Sequence, residues 1–104
     1  MQDKLKTTAT DQLFKAISLL QTPEECYQFF EDICTINEIL SFSQRFQVAQ
    51  MLRDNKVYTE ISKETGASTA TISRVKRALN YGTDGYDLVM KRLKSVHDTD
   101  AREG

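Results

Sequence analysis

The amino-acid sequence predicts an all-α fold of about six helices. Two observations lead to this class: apolar residues recur every three or four positions along most of the chain, and helix-start signals lie between these stretches. The 104 residues suit one domain, to which we assign residues 1–96.

No apolar run approaches the roughly 20 residues of a membrane span, and the N-terminus lacks the apolar stretch of a signal peptide. We therefore expect a cytoplasmic protein without membrane contact.

The first two helices are predicted from their start signals. Thr10 is expected to cap the first helix. Thr22 is expected to cap the second, with Pro23 at its first position and Glu25 returning a hydrogen bond to the cap. The apolar stripes of both helices consist of Leu13, Phe14, Ile17, Leu20, Cys26, Phe29, Phe30 and Ile33.

The third helix is predicted to begin near Ile36. Thr35 and Glu38 form a second capping-box pattern. Ser41 and Ser43 are weak helix formers, which leaves open a division of this helix into two pieces. One face is marked by Phe42, Phe46, Ala49 and Leu52.

A helix-turn-helix is predicted over residues 58–79, after a turn at 54–56. A short helix from Tyr58 to Thr65 is closed by Gly66, which can adopt the left-handed conformation that the reversal needs. A second helix runs from Thr69 to about residue 80. Ser62 is small enough to lie where the two helices cross. The inner face is apolar at matching steps, with Ile61, Ala67, Ile72 and Val75.

The outer face of this second helix predicts binding to a polyanion. Residues 67–83 contain no acidic residue, and residues 56–94 carry a net charge of +4, whereas the whole chain has −1. A helix of this kind inserts its N-terminal part into the major groove of DNA. Ala70 could touch a thymine methyl group, Thr71 or Ser73 a base edge, and the three basic residues phosphates or a guanine. The predicted DNA-binding residues are Ser68, Thr69, Ala70, Thr71, Ser73, Arg74, Lys76 and Arg77.

A last helix is predicted to follow a turn over residues 81–85. The glycines of that turn are expected where a positive φ is needed. The apolar stripe of the helix consists of Tyr86, Val89, Met90, Leu93 and Val96. The polar tail, residues 97–104, is expected to be disordered.

Few residues are available for catalysis or for metal binding. The chain has one histidine, and the spacing of Cys26 and Cys34 does not suit a metal site, so we interpret both cysteines as small apolar residues. No paired nucleophile and base and no phosphate-binding loop is found. We expect neither an enzyme nor a bound metal or cofactor.

The segment 60–73, followed by Arg74, resembles the Trp repressor superfamily, and in particular its branch of small tryptophan-repressor-related bacterial proteins. The resemblance extends over about 22–93, and the stretches 35–38 and 44–45 resemble the start of that family's long core helix. It implies an intertwined all-helical homodimer whose two helix-turn-helix units reach successive major grooves.

The apolar side chains of the first three helices favour the same dimer. A single small domain could not easily hide all of them, so a dimer core is expected, with a compact monomer core as the alternative. These side chains are Phe14, Leu20, Tyr27, Phe29, Phe30, Ile33 and Ile39.

The resemblance also identifies positions that could hold an effector. Arg45 and Arg74 match the two arginines that frame tryptophan in the repressor, and Val75 occupies the position of a glycine that leaves space for the ligand. We expect the branched side chain of Val75 to exclude tryptophan. Arg45 then has an ordinary surface or salt-bridge role, and Arg74 serves DNA.

The function predicted from these features is a sequence-specific regulator of transcription that binds duplex DNA as a homodimer. The resemblance favours a repressor. The alternative is a helical dimeric interaction module whose basic helix docks an acidic protein partner.

Overall fold

The computed structural model describes the backbone of residues 4–103 and the side chains of residues 4–96. This part of the chain forms six α-helices and no strand, which confirms the all-α prediction. None of these helices is long and apolar enough to cross a membrane. The helices are α1 (Thr8–Ile17), α2 (Pro23–Ile33), α3 (Ile36–Arg53), α4 (Tyr58–Thr65), α5 (Thr69–Tyr81) and α6 (Gly85–Glu103).

The chain divides into two compact units, residues 1–39 and residues 40–104. In the first unit, α1 and α2 contain no buried residue, and the large side chains of Phe14, Tyr27 and Ile33 are more than half exposed. The rings of Phe29 and Phe30 meet edge to face, with centroids 5.6 Å apart. The first unit therefore presents apolar stripes that its own residues do not cover.

The helix starts of the first unit differ in detail from the prediction. α1 is capped by Thr7 and not by Thr10, because Thr10 lies at the third helical position and its hydroxyl accepts a bond from the Thr7 N–H. Thr22 caps α2 as predicted, but the Glu25 carboxylate accepts from the N–H of Gln21 and not from that of Thr22. Both starts still satisfy backbone donors that the first helical turn leaves free.

α3 is one continuous helix, so the possible break at the serines does not occur. Its start is the predicted capping box: the Thr35 hydroxyl accepts from the Glu38 N–H, and the Glu38 carboxylate accepts from the Thr35 N–H at 2.9 Å. The hydrogen bond from the Thr35 backbone N–H lowers the pKa of Glu38 below its usual value, and the Thr35 side chain contributes a smaller lowering. Local capping and the burial of the helix further along outweigh the weak propensity of two serines.

In the second unit, an apolar core lies between α3, α4 and α5. Leu52, Tyr58, Tyr86 and Met90 pack against it and are partly buried. The buried residues are Val48, Ala49, Met51, Ile61, Ala67, Ile72, Val75 and Leu79. The predicted apolar face of α3 is therefore only partly buried. Ala49 is buried, but Phe42 is about half exposed, and Phe46 and Leu52 are intermediate.

One prediction about the C-terminal region, the placement of the positive φ at a glycine, is wrong. In the turn before α6 the positive φ belongs to Asp84, at 65°, whereas Gly82 has a φ of −85°. Aspartate tolerates the left-handed region better than most residues, which makes this possible. The helical backbone of α6 extends to Glu103, and the expected disorder of the tail, residues 97–104, stays a prediction. Gly104 itself lies outside the described residues.

Candidate nucleic-acid interface

The helix-turn-helix forms as the sequence predicts, with α4 and α5 joined by a three-residue turn. Gly66 takes the left-handed conformation, with a φ of 74°, and its N–H donates to the Ser62 carbonyl at 2.8 Å. The Thr65 hydroxyl donates to the Ile61 carbonyl and accepts from the Ala67 N–H at 3.1 Å. The backbone groups at the end of α4 are therefore satisfied locally, and the start of α5 follows at a defined place.

The inner and outer faces of the helix-turn-helix are sharply separated. All four predicted inner residues, Ile61, Ala67, Ile72 and Val75, are at most 2% exposed. Ser62 is half-buried, as a small residue at the crossing would be. Burial of the apolar positions orients the remaining positions of α5 outward, because helical residues three or four apart share a face.

Most of the predicted DNA-binding residues lie on this outer face. Seven of the eight are exposed: Ser68, Thr69, Ala70, Ser73, Arg74, Lys76 and Arg77. Thr71 is half-buried. Ser68 is the N-cap of α5: its hydroxyl oxygen accepts from the Thr71 N–H and lies 3.1 Å from the Thr71 hydroxyl, to which it donates. The Thr71 hydroxyl thus accepts one hydrogen bond within the protein and still has its own proton to donate to an external partner.

One residue that sequence reasoning left outside the interface lies against it. The Lys76 ammonium group is 5.6 Å from the centre of the Tyr58 ring, within the range of a cation–π contact. Tyr58 begins α4 and is partly buried against the core. The spacing of the helix-turn-helix contains no signal for this contact, because residues 58 and 76 belong to different helices.

The two residues predicted as possible effector ligands are not equivalent. Arg45 is half-buried on α3; its Nε donates to the Ser41 carbonyl at 3.4 Å and its guanidinium lies 5.1 Å from the centre of the Phe42 ring. Arg74 is exposed, and Val75 beside it is 2% exposed within the core.

A separate apolar cleft of about 410 Å³ lies between α3, α5 and α6. Its walls include Phe46, Ala78, Tyr86 and Val89, and neither of the two arginines lines it.

Arg53, at the end of α3, connects three helices. Its guanidinium forms two hydrogen bonds with the Asp87 carboxylate of α6, at 2.8 and 2.9 Å, and donates to the Leu79 carbonyl of α5 at 3.3 Å. The hydrogen bond from Arg53 holds the pKa of Asp87 below its usual value, and Asp87 in turn raises that of Arg53. No sequence pattern singled out this arginine, because its partners lie 26 and 34 residues further along the chain.

No group of three potential metal ligands occurs among the described side chains. Cys26 is exposed and Cys34 half-buried, and both are free thiols.

Comparison with known proteins gives consistent results. The family model described as Trp repressor protein matches residues 8–94. The uncharacterised protein YerC of Bacillus subtilis (strain 168) is 59% identical over 94 residues, which cover 90% of each protein. A TrpR-like protein from Eubacterium eligens ATCC 27750 has a crystal structure that matches with a TM-score of 0.87 and 63% identity, covering 89% of this chain and 96% of that one. A Trp repressor candidate from Staphylococcus aureus also matches with a TM-score of 0.87, at 55% identity, covering 90% and 95%.

Proposed function

Because the chain belongs to the Trp repressor family, we propose that it is a DNA-binding regulator of transcription that works in the cytoplasm. It acts as a homodimer, each protomer placing α5 in the major groove of one half of a pseudo-palindromic site. The two half-sites are about 34 Å apart, one turn of duplex. The bound dimer represses by covering a promoter.

The observation that carries this proposal is the exposed, acid-free outer face of α5 above a fully buried inner face. Arg74, Lys76 and Arg77 supply positive charge for phosphates, and none of them forms an ion pair with a described acidic side chain. The short side chains of Thr69 and Ala70 at the N-terminal end allow close approach to the groove.

The homodimer is supported by the apolar surface of the described chain. Ile36 is 76% exposed and Tyr27 67%. On α6, Leu88 and Val89 are about half exposed. So many large apolar side chains in water would be unfavourable, and a second copy that covers them removes this cost.

The regulator acts without tryptophan in this proposal. Val75 fills the position at which the repressor has a glycine, and its side chain is packed in the core beside Ile72 and Leu79. Entry of an indole ring there would require displacing buried apolar groups, which is unfavourable in a close-packed interior.

The decisive test is selection of duplex DNA from a randomised pool by the purified protein, with and without L-tryptophan. We expect enrichment of the same pseudo-palindrome in both arms. Enrichment only with tryptophan would contradict the role of Val75. No enrichment in either arm would contradict the DNA-binding proposal and favour a module that docks an acidic protein.

Variants of α5 separate the contacts with phosphates from those with bases. Arg77→Ala should weaken binding to every duplex and reduce the slope of log K against log salt by about 1. Lys15→Ala, which removes an exposed charge from α1, is the matched control and should leave that slope unchanged. Thr71→Ala and Ser73→Ala should alter the preferred sequence. Equal losses on all sequences would remove these two residues from base recognition.

A further inference from the structure

Two directional contacts attach the helix-turn-helix to α3. The side-chain Nε2 of Gln44 donates to the backbone carbonyl of Thr65 at 3.0 Å, and the Arg53 guanidinium donates to the backbone carbonyl of Leu79 at 3.3 Å. The two donors are nine residues apart on α3, about 13.5 Å along its axis. Their acceptors lie just before α5 and near its end. The helix-turn-helix is therefore held by α3 at two places, the end of α4 and the C-terminal part of α5.

Apolar contacts also join α3 to this motif. Val48 and Ala49 of α3 are fully buried in the core that contains Ile61 and Ile72. Apolar burial is strong but non-directional, so it tolerates small rotations and sliding of one helix on another. A hydrogen bond restricts both distance and angle. The two polar contacts can thus select one orientation of α5 among several that bury similar area.

The Gln44 contact lies directly on the turn. Thr65 is the last residue of α4, where carbonyl groups lack partners within the helix, and Gln44 satisfies one of them. The Gln44 Nε2 atom would be 3.9 Å from a Cβ built on Gly66. Gln44 is half-buried, so water competes less for this bond than at an exposed site. Only Gly66 and Ala67 separate Thr65 from Ser68, the N-cap of α5.

We propose that Gln44 and Arg53 are positioning residues that fix the orientation of α5 on α3 and thereby set the sequence preference of DNA binding. Neither needs to touch DNA for this role. The inference rests on the proposed function and deepens it. Contacts with phosphates tolerate a tilted helix, because long basic side chains can follow the backbone, whereas contacts with base edges do not. Loss of a positioning contact should therefore reduce specific binding more than non-specific binding.

The test compares wild type and Gln44→Met, which keeps the length of the side chain but cannot donate a hydrogen bond. Affinity is measured for the duplex selected by wild type and for an unrelated duplex of equal length and at equal salt. We expect a loss of roughly 2- to 10-fold on the selected duplex, the range that one net hydrogen bond spans, and no loss on the unrelated one. Gln47→Met, at an exposed position of the same helix, is the matched control and should behave as wild type.

Arg53→Lys provides a second variant that keeps the charge but lacks the planar guanidinium group, which can donate to two acceptors at once. It should show the same selective loss. Thermal unfolding by circular dichroism verifies that each variant is folded before its affinities are compared.

The possible outcomes are distinct. The positioning role alone is overturned if the wild type prefers a sequence but both variants bind as the wild type does. The same holds if both variants are weakened equally on the two duplexes. A wild type without sequence preference overturns the proposed function and this inference with it. A selective loss in both variants, absent from Gln47→Met, supports the inference.

Discussion

Gly66→Ala is expected to destabilise the protein although there is room for the added methyl group. A Cβ at this position would have its nearest neighbour at 3.9 Å, an ordinary contact, so no steric clash is expected. The cost arises from the backbone, because φ is 74° and an L-residue in the left-handed region costs about 1–2 kcal/mol. Alanine also lowers the conformational entropy of the unfolded chain, which offsets about 0.4–1 kcal/mol of this cost.

Comparison with Gly85→Ala separates the destabilisation of the folded state from the effect of alanine on the unfolded chain. Its added Cβ would also meet its nearest neighbour at 3.9 Å, and Gly85 has no positive φ. The effect on the unfolded chain is the same in both variants and cancels in their difference. The difference in the free energy of unfolding should therefore be about 1–2 kcal/mol, with Gly66→Ala the less stable.

The assay is thermal unfolding at one fixed protein concentration, since association makes the midpoint depend on concentration. The midpoint of Gly66→Ala should lie at least about 4 °C below that of Gly85→Ala, given the size of the chain. Gly66→Asn should recover part of the loss, because asparagine tolerates the left-handed region better than alanine. Equal midpoints for the two alanine variants would refute the assignment of the cost to backbone conformation.

Three further predictions follow from contacts in the second unit. Gly82→Ala should cost about 1–3 kcal/mol, because its Cβ would meet the backbone oxygen of Ala78 at 2.4 Å, and chemical denaturation would measure this loss. Arg53 lowers the pKa of Asp87, so their ion pair stabilises the fold above the ordinary aspartate pKa of roughly 3.9 and loses this contribution as the pH falls through the lowered folded value. Asp87→Asn should therefore lower the melting temperature at neutral pH and have little effect in strong acid; a similar effect at both would contradict the linkage. Ser68→Ala removes the cap of α5 and should cost about 0.5–2 kcal/mol, whereas an unchanged unfolding midpoint would show that the cap is dispensable.

The parts of the fold that depend on neighbouring residues were predictable from sequence. The caps at Thr22 and Thr35 and the turn at Gly66 need only a few adjacent residues, and the structure contains all three. The alternation of apolar and polar positions on α5 likewise predicted the buried Ile72 and Val75 and the exposed basic residues, although Thr71, expected on the outer face, is half-buried. The predicted cap of α1 at Thr10 is wrong, because Thr7 caps this helix.

Contacts between distant parts of the chain were decided by the tertiary structure. Gln44 and Thr65 are 21 residues apart, and Arg53 and Asp87 are 34 apart, so no local pattern relates them. Such pairs form only after apolar burial has brought α3, α5 and α6 together, since burial determines proximity but not which polar groups then face each other. The sequence by itself therefore determined the helices, the helix-turn-helix and its charged face. The tertiary structure decided how that face is held, because the orientation of one helix on another depends on side-chain contacts made across the fold.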